Sequence, residues 1–347
     1  MSAVRSLGVT PPRLAVDYVD AASVDGTPQA LLAADDTLAV FGFGAAAPYH
    51  DDPRYLRVAL EPFGAASFEV WRGAGPVTHG RDGDIAWAQD GALLFGAIEL
   101  DERPGSGIGG TDIEATAAAI YAQLPAFLQQ RGYPHLLRVW NYLDGITVGE
   151  GDDERYRVFC VGRARGLGAV DPAMLPAATA VGQVTAGHAD DVPRLQVYWL
   201  AARSPGTPLE NPRQVSAYRY PRQYGPQPPS FARAMLPPAG AAMPLLLSGT
   251  AAIVGHESRH ADSVLTQLDE TLANFDSLLA AARAQRPDLP PHFGVHSRLK
   301  VYVRNQDELA QVAAALDARL GPGVPRIVLH AAVCRRELRI EIDGVHA

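Results

Sequence analysis

Three side chains in the stretch VGHESRH have the spacing of a zinc-binding motif. His256, Glu257 and His260 fit the pattern HExxH. On a helix this spacing places two imidazoles on one face, with the glutamate beside a metal-bound water. The chemistry would then be metal-assisted hydrolysis. However, the continuation HxxGxxH is absent, since Ser263 and Thr266 stand at its glycine and histidine positions.

A second group of polar side chains lies in the stretch SAYRYPRQYGPQPPSFARA. Within sixteen residues it contains Tyr218, Arg219, Tyr220, Arg222, Tyr224 and Arg233. An arginine fork binds a carboxylate through two parallel hydrogen bonds, and a phenol adds an oriented donor. The alternative is a surface loop whose arginines keep their charged ends in water. Because the whole chain carries a net charge of -8, this cluster of cations favours a site for a carboxylate ligand.

A carboxylate near the end of the chain, in LRIEIDG, is a third candidate. In an extended strand the aliphatic side chains around Glu341 share one face, so its carboxylate points the other way. The pattern alone favours a carboxylate in water, and we expect Glu337, near the start of the strand, to be solvated.

The composition of the chain limits its class. With 347 residues it can bury a large core and form about two domains. No apolar run approaches the ~20 residues that span a membrane, and the first residues lack the apolar segment of a signal peptide. Two cysteines, Cys160 and Cys334, favour a reducing compartment. Because the negative charge argues against nucleic acid or an anionic membrane as a partner, we expect a soluble cytoplasmic protein.

The first part of the chain predicts short strands followed by a long helix. Alternating apolar residues indicate strands in TLAVFGFG, YLRVALEP, SFEVWRG and IAWAQDGALLFGAIEL. Thr111 and Glu114 form a capping-box pattern at the helix start. The buried stripe of the helix comprises Ile113, Ala117, Ile120, Leu124 and Leu128. The preceding GSGIGG fits the dinucleotide-binding pattern GxGxxG, but no strand abuts it and no acidic residue follows at the ribose-binding distance, so we expect a loop.

The order strand, long helix, strand recurs in the second part of the chain. LLLSGTAAIVG predicts a strand, and SRLKVYVRNQDEL predicts another that leads into a further helix. Between them lies a helix with a buried stripe of Val264, Leu268, Leu272, Phe275 and Leu279. We therefore expect an α+β fold of two related units, with mixed β-sheets and long helices packed on one face. We place the domains at 1–170 and 171–347.

Several stretches resemble known families. From about residue 245 the chain resembles the Rid (YjgF-like) fold in SGT, in Gln267 and Asn274 on the long helix, in LKVYVRNQDEL and in RIEIDGV. The chain is also similar to the chorismatase family. This similarity lies in the tyrosine- and arginine-rich run and in four further stretches, RVFCVGRARGL, LQVYWLAARSPGTPLENPRQ, LSGTAAIVGHESRH and VCRRELRIEIDG. Members of that family carry a Rid-like C-terminal domain and act on chorismate. The resemblance implies two Rid/YjgF-like units, of which the first is degenerate.

The chorismatase resemblance implies roles for individual residues. Glu341 matches the catalytic glutamate, which protonates the enolpyruvyl methylene carbon and must be shielded from water to have a raised pKa. Six residues are candidate substrate contacts: Arg163, Tyr220, Arg233, Tyr218, Tyr224 and Thr250. The pocket would lie between the two domains, because Arg163 belongs to the first. No cofactor and no metal is implied.

Two further positions bear on the product. Gly249 in LSGTAA and Cys334 in AAVCRRE resemble the branches of the family that form 3-hydroxybenzoate, or a mixture of 3- and 4-hydroxybenzoate, together with pyruvate. The hydrolytic branch, which forms a dihydroxycyclohexadienoate, tends to carry alanine in place of the glycine. We expect the hydroxybenzoate outcome, with hydrolysis as the alternative. From residue type alone, Cys334 is a small core residue.

The resemblance also changes the interpretation of HESRH. In a Rid-like fold this stretch lies where a strand leads to the long helix. His256 and His260 are then expected to cap or pack against the helix start, or to line the edge of the pocket. The competing function is a Rid-type imine deaminase or a binding protein, with Arg326 as the arginine that such deaminases use. Deamination explains neither the extra domain nor the tyrosine- and arginine-rich run.

Two related units in one chain predict a monomer. Single-domain Rid proteins bury equivalent faces between the subunits of a trimer, whereas here the two units can bury them within one chain. Light scattering should give the mass of a single chain, and a trimer mass would contradict the prediction.

Overall fold

The computed structural model describes residues 12–105, 111–183 and 192–347. The helices of these residues are α1 Gln29–Leu32, α2 Ile113–Arg131, α3 Arg155–Leu167, α4 Val264–Gln285 and α5 Leu309–Leu320. The strands of the first half are β1 Ala15–Asp20, β2 Thr37–Phe43, β3 Tyr55–Val58, β4 Glu61–Pro62, β5 Ser67–Arg72, β6 Thr78–Asp82, β7 Ile85–Gln89, β8 Leu93–Asp101, β9 Arg103–Pro104, β10 Thr111–Asp112 and β11 His135–Leu143. The strands of the second half are β12 Ala177–Gly182, β13 Arg194–Ala202, β14 Thr207–Leu209, β15 Ala234–Leu236, β16 Leu245–Ala251, β17 Ile253–Val254, β18 Glu257–Ser258, β19 Arg298–Val303, β20 Arg326–His330, β21 Ala332–Val333 and β22 Ile340–His346.

Two seven-stranded mixed sheets form most of the structure. Sheet I has the order β21-β12-β11-β13-β8-β7-β6, and sheet II has the order β14-β15-β16-β22-β19-β20-β4. A four-stranded sheet III has the order β1-β5-β2-β3, and β9 with β10 and β17 with β18 form two-stranded pairs. Each large sheet combines one parallel pair, β11 with β12 or β19 with β20, with antiparallel neighbours. The predicted α+β class with mixed sheets is confirmed.

The two large sheets repeat one arrangement. Along the chain, β8, α2, β11, α3, β12 and β13 correspond to β16, α4, β19, α5, β20 and β22. In space, the strands lie in the equivalent orders β8-β13-β11-β12 and β16-β22-β19-β20. The chain therefore contains two related α+β units, as the repeated strand–helix–strand pattern predicts.

The division between the two sheets differs from the predicted boundary between residues 170 and 171. β12 and β13 follow that boundary, yet β12 pairs with β11, and β13 lies between β11 and β8. A central strand needs hydrogen-bond partners on both sides, so β12 and β13 complete the first unit, which extends to Ala202. The two units also share edge strands, because β21 pairs with β12 and β4 pairs with β20.

The long helices cover one face of each large sheet, as predicted. α2 and α3 pack on sheet I around residues such as Ile120, and α4 and α5 pack on sheet II around residues such as Phe275. The opposite faces of the two sheets join sheet III in a central core that includes Phe41, Trp71 and Tyr198. Helix, sheet, sheet and helix therefore form successive layers.

The predicted helix stripes face these cores, with a different cap. All five stripe residues of α2 are buried, as are those of α4 except the half-buried Leu272. Asp112, rather than Thr111, caps α2 by accepting from the backbone N–H of Ala115, because the backbone of Thr111 pairs with β9. Most of the GSGIGG run, residues 106–110, lies outside the described residues. In the part of the chain described, no helix has both the length and the apolarity needed to cross a membrane.

A buried ion pair links sheets II and III in the central core. The Lys300 ammonium donates to the two oxygens of Glu69 at 2.9 and 3.2 Å, and the indole N–H of Trp71 donates to the same carboxylate at 2.7 Å. Both charged side chains are almost completely buried. Burial is the largest single effect and lowers the pKa of Lys300, but the charges of Glu69 and Asp343, the nearby Tyr142 and the hydrogen bond to Glu69 together raise that pKa above its ordinary value. The ammonium therefore stays charged.

Breaking this ion pair should destabilise the fold. Glu69→Gln retains an acceptor for Trp71 but leaves the buried Lys300 charge without its counterion, which costs about 3–5 kcal/mol. Asp288→Asn, which removes an exposed pair with Arg286, is the control and should change stability by less than about 1 kcal/mol. Urea unfolding followed by circular dichroism measures both. Equal stabilities of the two variants would contradict the prediction.

Candidate active site

A pocket lies between α3 and the adjoining parts of the two large sheets. α3 and β12 of the first unit form one side, and β16, β22 and the segments 220–233 and 334–335 form the other. β12 is held against β16 by two hydrogen bonds. Ala178 N–H donates to Ser248 Oγ at 2.9 Å, and Gly249 N–H donates to Thr179 Oγ1 at 3.0 Å. The pocket is therefore at the junction of the units.

Most of the residues selected from the sequence line this pocket, namely Glu341, Cys334, Gly249, Arg163, Tyr220, Arg233 and Tyr224. Tyr218 and Thr250 do not line it. The Tyr218 ring centroid lies 5.6 Å from the guanidinium carbon of Arg219, and both residues belong to the short 3-10 turn Ala217–Arg219. Thr250 is buried in β16 with its hydroxyl on the Ser248 carbonyl, on the other side of the strand from Gly249.

The Glu341 carboxyl is buried in the pocket wall. Its strand neighbours point into the helix-side core of sheet II, so Glu341 faces the opposite side, as alternation predicts. It is only 4% exposed, whereas Glu337 is exposed, as expected. The pKa of Glu341 is raised to about 8, mainly by burial and in part by the charge of Asp343, against the lowering effect of Arg138 and Arg233. The carboxyl therefore carries a proton at neutral pH and can act as a general acid.

The glycine opposite this carboxyl leaves room for the carboxyl in its present position. A Cβ at position 249 would lie 1.9 Å from Oε1 of Glu341 and 3.3 Å from the Thr179 methyl. Any larger residue at position 249 would therefore displace the carboxyl from its present position. The glycine sets where the acidic proton lies in the pocket.

A buried polar network centred on Asp343 holds this part of the structure. Four donors approach its Oδ2: Thr179 Oγ1 at 2.7 Å, Trp140 Nε1 at 2.9 Å, Tyr302 Oη at 3.0 Å and Arg138 Nη2 at 3.1 Å. The same Thr179 oxygen accepts from the Gly249 N–H. The network thus connects strands of both sheets and fixes the backbone of Gly249 beside Glu341.

Arg157 lines the pocket and pairs with Glu154, and three further guanidinium groups face the pocket, those of Arg163, Arg233 and Arg335. Among the described residues none of these three pairs with a carboxylate, and each has at least one buried N–H without a hydrogen-bond partner. Arg233 is oriented by the Tyr220 hydroxyl at 2.7 Å and the Val215 carbonyl at 2.9 Å. A buried donor without an acceptor destabilises a folded protein, so these groups favour a bound anion with several carboxylate oxygens.

The thiol of Cys334 lies beside the acid. It is a free cysteine in the pocket wall. Burial, followed by the Glu341 charge, raises the pKa of Cys334 well above its ordinary value. At neutral pH the residue is therefore a neutral thiol, which shapes the pocket and can donate a weak hydrogen bond but is a poor nucleophile.

Tyr156 and Arg335 are among the pocket residues that sequence reasoning missed. On α3, Tyr156, Cys160 and Arg163 are spaced by four and three residues and share the pocket face. Recognising RYRVFCVGRARGL as a helix would have identified Tyr156, but the polar residues on that face obscure the usual aliphatic stripe. No local sequence pattern identifies Arg335, because it lies in the connection between β21 and β22, where side chains follow no regular alternation.

The HESRH stretch forms a hairpin rather than a helix. β17 and β18 pair antiparallel, and α4 begins only at Val264, with Ser263 as its cap. The predicted position between strand and helix is confirmed, although neither histidine is the cap. The His256 ring contacts the Tyr224 hydroxyl at 3.2 Å, whereas His260 contacts a carboxylate of α4. In the described ranges, no three His, Cys, Asp or Glu side chains are grouped so that they could hold a metal ion.

Known proteins share most of this chain. Residues 69–201 match the family model described as chorismatase FkbO/Hyg5-like, N-terminal. A chorismatase of Streptomyces rapamycinicus is 37% identical over 287 residues, which cover 80% of this chain and 82% of that protein. A 3-hydroxybenzoate synthase of Streptomyces hygroscopicus is 33% identical over 295 residues, 82% of each protein. A crystal structure of a chorismatase superimposes with a TM-score of 0.82 and 32% identity, covering 98% of this chain and 100% of that one. The chain therefore belongs to the chorismatase family.

Proposed function

We propose that this protein removes pyruvate from chorismate and forms 3-hydroxybenzoate, alone or together with 4-hydroxybenzoate. One observation carries the proposal: Glu341, protonated at neutral pH, shares a pocket with three guanidinium groups that have no carboxylate partner in the described part of the chain. Chorismate is a dianion with a ring carboxylate, an enolpyruvyl carboxylate and a hydroxyl at C4, so its charges complement this pocket. The names of the relatives, chorismatase and 3-hydroxybenzoate synthase, support the same substrate and product class.

The first step of the proposed reaction is a proton transfer to carbon. Arg163, Tyr220 and Arg233 hold the enolpyruvyl group against Glu341, whose proton goes to the methylene carbon. The side chain becomes an oxocarbenium ion, and breaking the bond between C3 and the ether oxygen releases it as pyruvate. Burial of the acid favours this step, because the carboxyl has kept its proton at the pH at which the enzyme works.

The fate of the ring depends on which group reacts at C3 and C4. If the C4 hydroxyl attacks C3 and loses its proton, a transient epoxide forms as pyruvate leaves. The bond between the epoxide oxygen and C4 then breaks, which leaves the oxygen on C3, and loss of the C3 proton gives 3-hydroxybenzoate. Loss of the C4 proton without attack retains the oxygen at C4 and gives 4-hydroxybenzoate. Neither route adds water, and attack by water would instead give the dihydroxycyclohexadienoate of the hydrolytic alternative.

The competing imine-deaminase function has no support at this site. Arg326 pairs with Asp317, donates to the carbonyls of Gly321 and Val324, and does not line the pocket. Hydrolysis of chorismate stays the alternative within the family. A monomeric, cytoplasmic enzyme that needs no cofactor belongs to the same proposal, and the two free thiols fit a reducing compartment.

Turnover should require the protonated form of Glu341. With a pKa of about 8, the acid is intact at lower pH, so kcat/KM for pyruvate release should be constant there and fall as the pH rises through this value. Glu341→Gln should fold and bind chorismate but lose at least ~10²-fold in turnover. Glu150→Gln, which changes an exposed carboxylate paired with Arg336, is the control and should keep the wild-type profile. Near-normal turnover of Glu341→Gln would exclude this residue as the acid.

The product ratio should depend on Gly249 and Cys334. Gly249→Ala places a methyl where Oε1 of Glu341 now lies, so the carboxyl must move, and Cys334→Ala removes the neighbouring thiol. The double variant should form less hydroxybenzoate and more dihydroxycyclohexadienoate, with pyruvate released in both reactions. Chromatography of the ring products, with each single variant as a control, measures the shift. An unchanged ratio in the double variant would show that these residues do not determine the product.

A further inference from the structure

Arg335 is held in a fixed orientation at the pocket wall. It follows Cys334 in the segment between β21 and β22. Its Nη1 donates to the backbone carbonyl of His256 at 2.9 Å and to the Ser258 hydroxyl at 3.0 Å. Its Nη2 is buried and has no hydrogen-bond partner among the described residues. The protein thus anchors one nitrogen of the guanidinium and provides no described acceptor for the other.

Two aromatic rings of the tyrosine- and arginine-rich run lie against this guanidinium. Its central carbon is 3.9 Å from the ring centroid of Tyr224 and 5.1 Å from that of Tyr220. Such contacts stabilise a cation without neutralising its charge. Tyr220 also accepts a hydrogen bond from Arg233 at 2.7 Å. Tyr220 therefore contacts two pocket cations, one through its hydroxyl and the other through its ring.

The hairpin of residues 253–258 supports Arg335 from behind. The Ser258 hydroxyl donates to Glu337 at 2.7 Å, which leaves its oxygen free to accept from Arg335. The backbone of Gly255 bonds to Arg213 and Val215 at 2.8 Å each, which fixes the hairpin to the segment that leads into the tyrosine- and arginine-rich run. The stretch that resembles a zinc motif thus orients an arginine.

We propose that Arg335 is a third cationic ligand of the substrate, that its Nη2 binds a substrate carboxylate, and that the hairpin of residues 253–258 positions it. This inference rests on the proposed function for the identity of the dianion. A guanidinium nitrogen can only donate, so its missing partner is an acceptor, and a carboxylate also neutralises the charge that no described residue compensates. Arg335 would therefore select for a substrate that carries both carboxylates.

Substitution of Arg335 tests the contact with substrate. Arg335→Gln should lower kcat/KM for chorismate by about 10- to 100-fold, the range for a lost hydrogen bond to a charged group. The loss should appear mainly in KM, because the contact is present in the bound ground state, and Arg335→Lys should recover part of it. Arg336→Gln, whose guanidinium binds Glu150 outside the pocket, should behave as wild type. An unchanged kcat/KM in a folded Arg335→Gln variant, or a loss confined to kcat, would overturn the proposal.

A second substitution tests the hairpin. Ser258→Ala should raise KM several-fold in the wild-type background and have no further effect in the Arg335→Gln background, because the serine acts through the arginine. Additive effects would overturn this part of the proposal.

Equilibrium binding separates this inference from the proposed function. The affinities of 3-hydroxybenzoate, which carries the ring carboxylate, and of pyruvate, which carries the side-chain carboxylate, are measured for wild type and Arg335→Gln by calorimetry. Weaker binding of either ligand supports the contact and identifies the carboxylate, and unchanged binding of both overturns it. Because this measurement needs no turnover, a wild-type protein that binds these ligands but releases no pyruvate from chorismate would overturn the proposed function alone.

Discussion

The structure depends on two buried acidic side chains in one region, of which the protein hydrogen-bonds one, Asp343, through a network that joins both large sheets. Asp343 and Glu341 are two residues apart on β22, so they project to the same side. Four donors from both sheets compensate Asp343. No described donor is hydrogen-bonded to Glu341, and burial together with the Asp343 charge raises its pKa. Asp343, at the centre of the network that joins the sheets, therefore helps to keep Glu341 protonated.

The pocket contains charges that the protein itself leaves uncompensated. Elsewhere in the described structure, buried cations such as Lys300 and Arg138 have carboxylate partners, but Arg163, Arg233 and Arg335 do not. Leaving these groups unpaired reduces stability, which is common where a protein binds a charged ligand. A dianionic ligand would supply the missing partners. Because the bound ligand would also exclude water from the pocket, each of these electrostatic contacts would become stronger.

The duplicated fold becomes functional where its two halves differ. In the second unit, α5 directs Val312 and Leu316 into the core of sheet II. In the first unit, the equivalent helix α3 directs Tyr156 and Arg163 into the pocket. α3 can carry polar residues because β16 and β22 of sheet II, with Gly249 and Glu341, lie across the pocket from it. α3 of the first unit therefore lines the pocket, whereas α5 at the equivalent position of the second unit packs on the core of sheet II.

Sequence patterns by themselves were sufficient for the strands, the long helices, their repetition and the direction of Glu341, because these features depend on residues close together in the chain. The resemblance to the Rid fold, and not a local pattern, placed HESRH between a strand and a helix. The site itself required tertiary structure. Arg138 and Asp343 are 205 residues apart, and Thr179 of one unit holds Gly249 of the other. The pKa of a buried acid and the pairing of a guanidinium depend on such distant neighbours, since desolvation and charge act through space and not along the chain.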